Sequence, residues 1–412
     1  MSFQQGLSGL NAASQSLDAI GNNVANADTV GYKESDVQFA DVYANTLAGS
    51  ASQNVGIGVQ VAAVAQTFSQ GDISSSSNPL DMAISGDGFF RMSNNGAITY
   101  TRNGQFQLNN QGYIVNSSGE ELTGYPASAA GVLATGSPVP LQINSSNSLP
   151  QATSEYNVSL TLDSRDATLS AASFNPDDAT TYSSSTSVPV YDSLGNTHTL
   201  QTYYVNTGGG QWSVFATNDG VPVGYTPPAT PVPIGTMTFS SDGVLTSTTP
   251  SPMTAALDVT TGATTPLNIS INYAGTQQDA SDFGVNQQSQ DGFAPGSLSS
   301  FSVSSDGTIV GSYTNGRSSV LGQVVLTNFA NPNGLQNLGD NQWAETADSG
   351  VPLTSTPGTS GLGSVQSSSI ESSNVDLTTE LVNLITAQRF YQANAQSIKT
   401  QDDVLQTLVS LQ

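Results

Sequence analysis

The chain has 412 residues, with 7 Lys and Arg against 31 Asp and Glu, one His and no Cys. A net charge of −24 cannot neutralise a phosphate backbone and is repelled by anionic bilayers, which excludes nucleic acid and membrane surfaces as partners. Without cysteine there is no disulfide framework, thiol nucleophile or Cys zinc site, and a lone imidazole, His198, cannot build a multi-His metal centre.

At ~150 residues per domain the length predicts about three domains. The apolar fraction of 36% allows a sizeable core, but the charged fraction of 9% lies far below the ~25% of an ordinary domain. Ser, Thr, Asn, Gln and Gly take its place.

At the N-terminus, Phe3, Leu10, Leu17 and Val24 recur every seven residues, with Leu7 and Ile20 beside them. This spacing predicts an amphipathic helix within residues 1–27, opened by the capping-box spacing of Ser2 and Gln5 and ended by the turn formers of 26–31. Gly6, Gly9 and Gly21 make such a helix marginal on its own in water.

Residues 28–70 read as a connecting segment in which Val55, Ile57, Val59 and Val61 alternate like a half-buried strand. Turn signals at Asn95-Gly96, Asn103-Gly104, Gln111-Gly112 and Ser118-Gly119 then recur at hairpin spacing. Polar, punctuated stretches at 144–152 and 287–296 suggest that an outer all-β domain, 147–287, is inserted into an inner one, 71–146 with 288–363. The prolines 227, 228, 231 and 233 read as an exposed loop, and 364–373 as a flexible lead into the last helix.

From Ser364 to Gln412 there is neither Gly nor Pro. Leu377, Leu384, Tyr391, Ile398 and Leu405 form a seven-residue row, and Leu381, Gln388, Ala395, Asp402 and Val409 a weaker one, with Ile385 and Leu408 widening the stripe. Asp376 is placed to cap a helix of about 50 Å. The expected fold is thus multidomain and mainly β, with long terminal helices paired as a coiled coil around two nested all-β domains. The termini are expected to pair with each other and with neighbouring molecules.

Candidate chemistry is sparse. His198 follows a Leu194-Gly195-Asn196 turn and reads as a surface or edge residue. The pairs Asp177-Asp178 and Asp402-Asp403 read as solvated, since adjacency in sequence does not set the carboxyl separation of a glycosidase. Gly56-Ile57-Gly58 and Gly208-Gly209-Gly210 lack the context of a nucleotide loop. No catalytic, cofactor or metal site is expected.

The two ends carry longer motifs. Residues 8–13 (Ser-Gly-Leu-Asn-Ala-Ala), 20–26 (Ile-Gly-Asn-Asn-Val-Ala-Asn) and 30–33 (Val-Gly-Tyr-Lys) resemble the N-terminal motif of the flagellar rod, hook and hook-associated proteins. Residues 373–377, 387–395 (Ala-Gln-Arg-Phe-Tyr-Gln-Ala-Asn-Ala) and 400–402 resemble that family's C-terminal motif. Asn22, Asn23, Asn26, Gly31, Tyr32, Lys33, Asn374, Asp376, Gln388, Arg389 and Tyr391 carry the match. Length and the segment 321–329 are most similar to the hook branch, with a distal rod or hook–filament junction protein as the alternative. A secreted β-rich adhesin or surface-layer protein is the rival from another class.

The resemblance implies an extracellular, curved helical tube lined by the terminal helices, a flexible coupling that passes motor torque to the filament. It also implies export through the flagellar type III apparatus without a cleaved signal. Its implied partners are other copies of the chain, the distal rod, the hook cap and the junction proteins. Phe3, Leu7, Leu10, Leu17, Ile20, Val24, Leu377, Leu381, Leu384, Tyr391, Ile398, Leu405 and Leu408 are the expected assembly seams.

Overall fold

The computed structural model describes residues 2–42, 56–128, 131–143, 147–226 and 229–410. The predicted strand start at Val55 and the prolines 227 and 228 lie outside them, as does the side chain of Ser2. The chain divides into two compact units, one of residues 1–145, 300–312 and 318–412, the other of 146–299 and 313–317.

The first unit holds both long helices, α1 (Ser2–Ala25) and α2 (Leu377–Ser410). After α1 the chain turns at Gly31, whose φ of +72° suits glycine, and enters an antiparallel hairpin of β1 (Ser35–Val42) and β2 (Gly58–Gln66). The rest of the unit is a multistranded sheet. In it Phe89–Asn94 pairs with Ala97–Thr101 across Asn95-Gly96, with φ of +50° and +96° at the turn. Its aromatic core brings Phe68, Phe89, Tyr100, Phe329 and Trp343 into edge-to-face contact at centroid distances of 4.8–6.0 Å.

Residues 364–373 are not the flexible lead expected from their serine content. Ser364–Ser367 pairs with Met82–Ser85, and Ser369–Glu371 pairs with Ile73–Ser75. Backbone pairing fixes a stretch that has few apolar side chains of its own.

The second unit is a sandwich. A six-stranded sheet follows the order Ser184–Tyr191, Thr197–Gly208, Gln211–Asn218, Gly235–Phe239 and Leu245–Thr249, with Val221–Pro222 beside the third strand. It shares one core with a five-stranded sheet centred on Glu155–Asp163. Strand alternation sends Tyr204, Trp212 and Val214 into that core, while Tyr203, Val205 and Phe215 pack on the other face against Phe174. Each such fully buried side chain contributes ~1.5–3 kcal/mol. Hairpin spacing alone missed one feature: Glu155–Asp163 runs parallel to Leu267–Asn272 and to Gln277–Asp279.

His198 is also a correction. It lies in the second strand of the six-stranded sheet, flanked on both sides, and is only 6% exposed. Asp219 accepts from Nδ1 at 2.7 Å and Asp192 lies 3.4 Å from Nε2. The turn at Asp219, with φ +50°, brings a carboxylate to the Nδ1 edge of the ring, an arrangement the linear sequence does not display.

No helix among the described residues is long and apolar enough to cross a membrane.

Candidate assembly interface

The two helices meet along small and polar residues. A Cβ added to Gly9 would lie 2.8 Å from Asn394 Oδ1, and one added to Gly6 would lie 3.0 Å from Ile398 Cγ1. Near the other end Asn23 Nδ2 donates to Glu380 Oε2 at 3.2 Å. These contacts run in opposite order along the two helices, so the pair is antiparallel.

The row of α2 that meets α1 is Glu380, Ala387 and Asn394, with Leu384 and Ile398 half-buried beside it. The expected companion row is therefore displaced by one position. Leu381, Gln388, Asp402 and Val409 are exposed, and Ala395 is half-buried. The glycines of α1 leave room for Ile398 and Asn394 to pack against its backbone, and the Asn23–Glu380 hydrogen bond fixes the other end of the same row.

Half of the expected seam residues whose side chains are described are exposed in the single chain. Leu377, Leu381, Tyr391 and Leu405 are exposed, as are Phe3 and Leu7, while Leu10, Leu17, Ile20 and Val24 are half-buried. Leu408 lies in α2, but its side chain is outside the described residues. The outward face of α2 also presents Ile385 and Phe390, at 51% and 62% exposure.

Asp376 caps α2 as its position suggested, its Oδ1 accepting from the amides of Thr378 at 2.8 Å and Thr379 at 3.2 Å. The hydrogen bonds from Thr379 and Thr378 hold its carboxyl below the usual range.

Several motif residues do converge. Asn23 uses both ends of its amide: Nδ2 donates to Ser35 O and Glu380, and Oδ1 accepts from Ser35 N and the Tyr32 hydroxyl. Asn26 is turned back on Asn22, its Nδ2 2.6 Å from Asn22 Oδ1. Asn374 Oδ1 accepts from Glu34 N at 2.8 Å, and its Nδ2 donates to Thr67 O and Ser69 Oγ. A Cβ on Gly31 would come within 2.6 Å of Asn103 N, so backbone approach as well as φ requires glycine there. Gln388 and Arg389 stay on the exposed face of α2, outside this cluster.

At its centre is a buried ion triad. Lys33 Nζ lies 2.7 Å from Glu371 Oε1 and donates to Ser69 O at 2.7 Å. Arg102 reaches Glu371 Oε2 at 3.2 Å and Gly86 O at 2.8 Å. Burial pushes the pKa of Lys33 and of Arg102 down, with Glu371 opposing the shift in both. Glu371 and Arg102 were not foreseen as partners. The available signal was scarcity: seven cations in 412 residues give each one a high chance of a specific role.

Geometry and sequence comparison agree. The chain is 41% identical to the flagellar hook protein FlgE of Salmonella typhimurium, and the match covers 100% of both chains. The chain belongs to the flagellar hook protein family. It is 40% identical to the hook protein FlgE of Escherichia coli K12 over 100% of each chain, and 31% identical to that of Treponema pallidum over 100% of this chain and 99% of the relative. Family models match in chain order: the flagella basal body rod protein at 3–33, the flagellar hook protein FlgE/F/G D1 domain at 83–161, the flagellar basal body protein FlaE D2 domain at 161–293 and the flagellar basal body rod FlgEFG protein C-terminal region at 366–411.

The fold is shared with the crystal structure of Helicobacter pylori hook protein FlgE2, at 16% identity and a TM-score of 0.51, over 71% of this chain and 99% of that one. Membership of the family, shown by the sequence matches, makes the chain a structural flagellar subunit and sets aside the adhesin and surface-layer reading. The matches at 3–33 and 366–411 cover the two segments that the Asn23, Lys33, Glu371 and Asn374 contacts tie together.

Proposed function

We propose that the chain polymerises through the outward faces of α1 and α2 into a curved helical tube that bends while passing torque from motor to filament. The observation that carries this reading is the apolar surface left on paired helices: Leu7, Leu377, Leu381, Ile385 and Leu405 are each more than 40% exposed. A neighbour that covers such a surface removes it from water, at ~25 cal/mol per Å². Phe3, Leu10, Leu17, Ile20, Val24, Tyr391 and Leu408 extend the proposed seam, and Leu384 and Ile398 serve its intramolecular side, where α2 meets α1. The nested division, 71–146 with 288–363 around 147–287, serves as the working description of the β part.

Flexibility follows from composition. With 9% charged residues, contacts between β domains rest on weak, exchangeable hydrogen bonds of Ser, Thr, Asn and Gln. The chain leaves the cell through the flagellar type III apparatus, then joins the distal rod, the hook cap and the junction proteins outside.

Leu381→Asp tests the assembly surface. The residue is half exposed in the isolated chain, so the monomer keeps its circular dichroism while polymer formation is lost by sedimentation and electron microscopy. Tubes of normal appearance from this variant would overturn the reading.

A further inference from the structure

We propose that Arg389 of one subunit enters a cavity between α1, β1 and α2 of a neighbouring copy and pairs with the carboxylates that line it. The inference rests on the self-assembly reading above. The cavity measures about 280 Å³ and is lined by Glu34, Asp36 and Glu380, with Asn23 at its wall and Phe390 among the lining residues.

Glu380 is only 3% exposed, and its oxygens accept from Asn23 Nδ2 at 3.2 Å and Asn383 Nδ2 at 3.0 Å. Among the described residues no Lys or Arg is within ion-pair distance of these three carboxylates. Lys33, next to Glu34 in sequence, is committed to Glu371. Burial, then the charges of Glu380, Asp36 and Asp376, push the pKa of Glu34 up. Of the three, Glu380 is buried, Glu34 half-buried and Asp36 exposed. A carboxylate buried without a counter-charge is costly, and a cation supplied by a neighbour relieves that cost at Glu380.

The chain itself limits the donors. Lys33 and Arg102 hold Glu371, Arg165 bridges Asp163 and Asp282, Arg317 lies over the Phe293 ring, and Arg91 donates to Thr123. Arg389 and Lys399 remain, both on the exposed surface of α2. Arg389 is favoured because Phe390 and Tyr391, at 62% and 38% exposure, stand beside it. Arginine with aromatics is what buried interface centres select. The planar guanidinium suits paired carboxylates, and Phe390 of the receiving copy offers it a ring. A chain of net charge −24 gains most where its few free cations meet its neighbour's acids.

Because the chain has no cysteine, Arg389→Cys with Asp36→Cys introduces the only two thiols. Full-length double variant, polymerised and then oxidised, is expected to run as a ladder of multiples on non-reducing denaturing gels, while each single variant gives no product beyond a dimer. Polymer without a ladder, or a disulfide formed within the monomer, overturns the pairing. If the double-cysteine chain does not polymerise, charge exchange decides. Arg389→Glu and Asp36→Arg should each abolish assembly, and their combination should restore it. Absence of rescue, or normal assembly of either single variant (as expected if a small cation fills the cavity instead), overturns the proposal. Failure of the unaltered chain to form any polymer would overturn the self-assembly reading first, and this one with it.

Discussion

Lys33 and Glu371 lie 338 positions apart and meet at 2.7 Å with neither side chain exposed to solvent. Arg102 closes on the other carboxylate oxygen at 3.2 Å, so one anion joins segments from the beginning, the inner sheet and the end of the chain. Breaking a buried pair by removing one partner leaves uncompensated charge, which costs about 3–5 kcal/mol. Glu371→Gln should therefore lower the stability of the unit that contains both helices by that amount. Urea unfolding followed by Trp343 fluorescence measures it, and a change below about 1 kcal/mol would show that the triad contributes little.

The helix pair depends on Gly9. Gly9→Ala places a methyl against the movable end of Asn394, whereas Gly9→Leu must displace the helix itself. Alanine should be tolerated, with its higher helix propensity offsetting part of the crowding by ~1 kcal/mol. Leucine should undock α1, seen as faster amide exchange throughout Ser2–Ala25 and loss of polymer. Equal behaviour of the two variants would mean that the close approach is not what orients the helices.

His198 makes the second unit pH-sensitive. Burial disfavours its imidazolium, but hydrogen bonds and charge from Asp219 and Asp192 outweigh burial and raise its pKa. The folded form therefore binds the proton more tightly than the unfolded form, whose pKa is near 6.5. The stabilisation is fully present below ~6.5 and is lost as pH rises through the higher folded value. Asp219 acts at the acid end: burial is outweighed by hydrogen bonds from His198 and Thr199, its pKa is lowered, and its contribution fades as pH falls below ~3.9. Urea midpoints from pH 5 to 8.5, read through Trp212, should decline toward alkaline pH, and His198→Gln should flatten that limb. An unchanged slope in the variant would refute the assignment.

Salt should strengthen the polymer. Neighbouring copies each carry −24, and the screening length shortens from ~10 Å at 0.1 M to ~3 Å at 1 M salt. The temperature at which tubes dissociate should rise between those concentrations, as followed by light scattering. A fall would mean that ion pairs between subunits, not apolar contact, dominate cohesion.

Much of the architecture is legible in the sequence. Heptad spacing marked both helices, Asp376 marked the start of α2, and Asn95-Gly96 marked a hairpin, because each signal depends on local backbone chemistry. The face by which α2 meets α1 was not legible. Apolar spacing identifies the side of a helix that avoids water, yet Leu381 and Leu405 remain exposed in this chain, since α2 meets Gly6 and Gly9 of α1 through Ile398 and Asn394 instead. The parallel strand pairings, the strands within 364–371 and the burial of His198 likewise rest on partners distant in sequence.

The terminal motifs carried the flagellar resemblance, while composition and terminal patterning by themselves determined that this is a charge-poor, cysteine-free, mainly β chain with helical ends. Those properties follow from residue counts and from periods of seven and two, which need no knowledge of contacts. Only the tertiary structure decided which row of each helix faces its partner, and where the few cations go. Helix rotation is set by steric fit at glycine, and burial of Lys33 and Arg102 is set by a single carboxylate that reaches them across the fold.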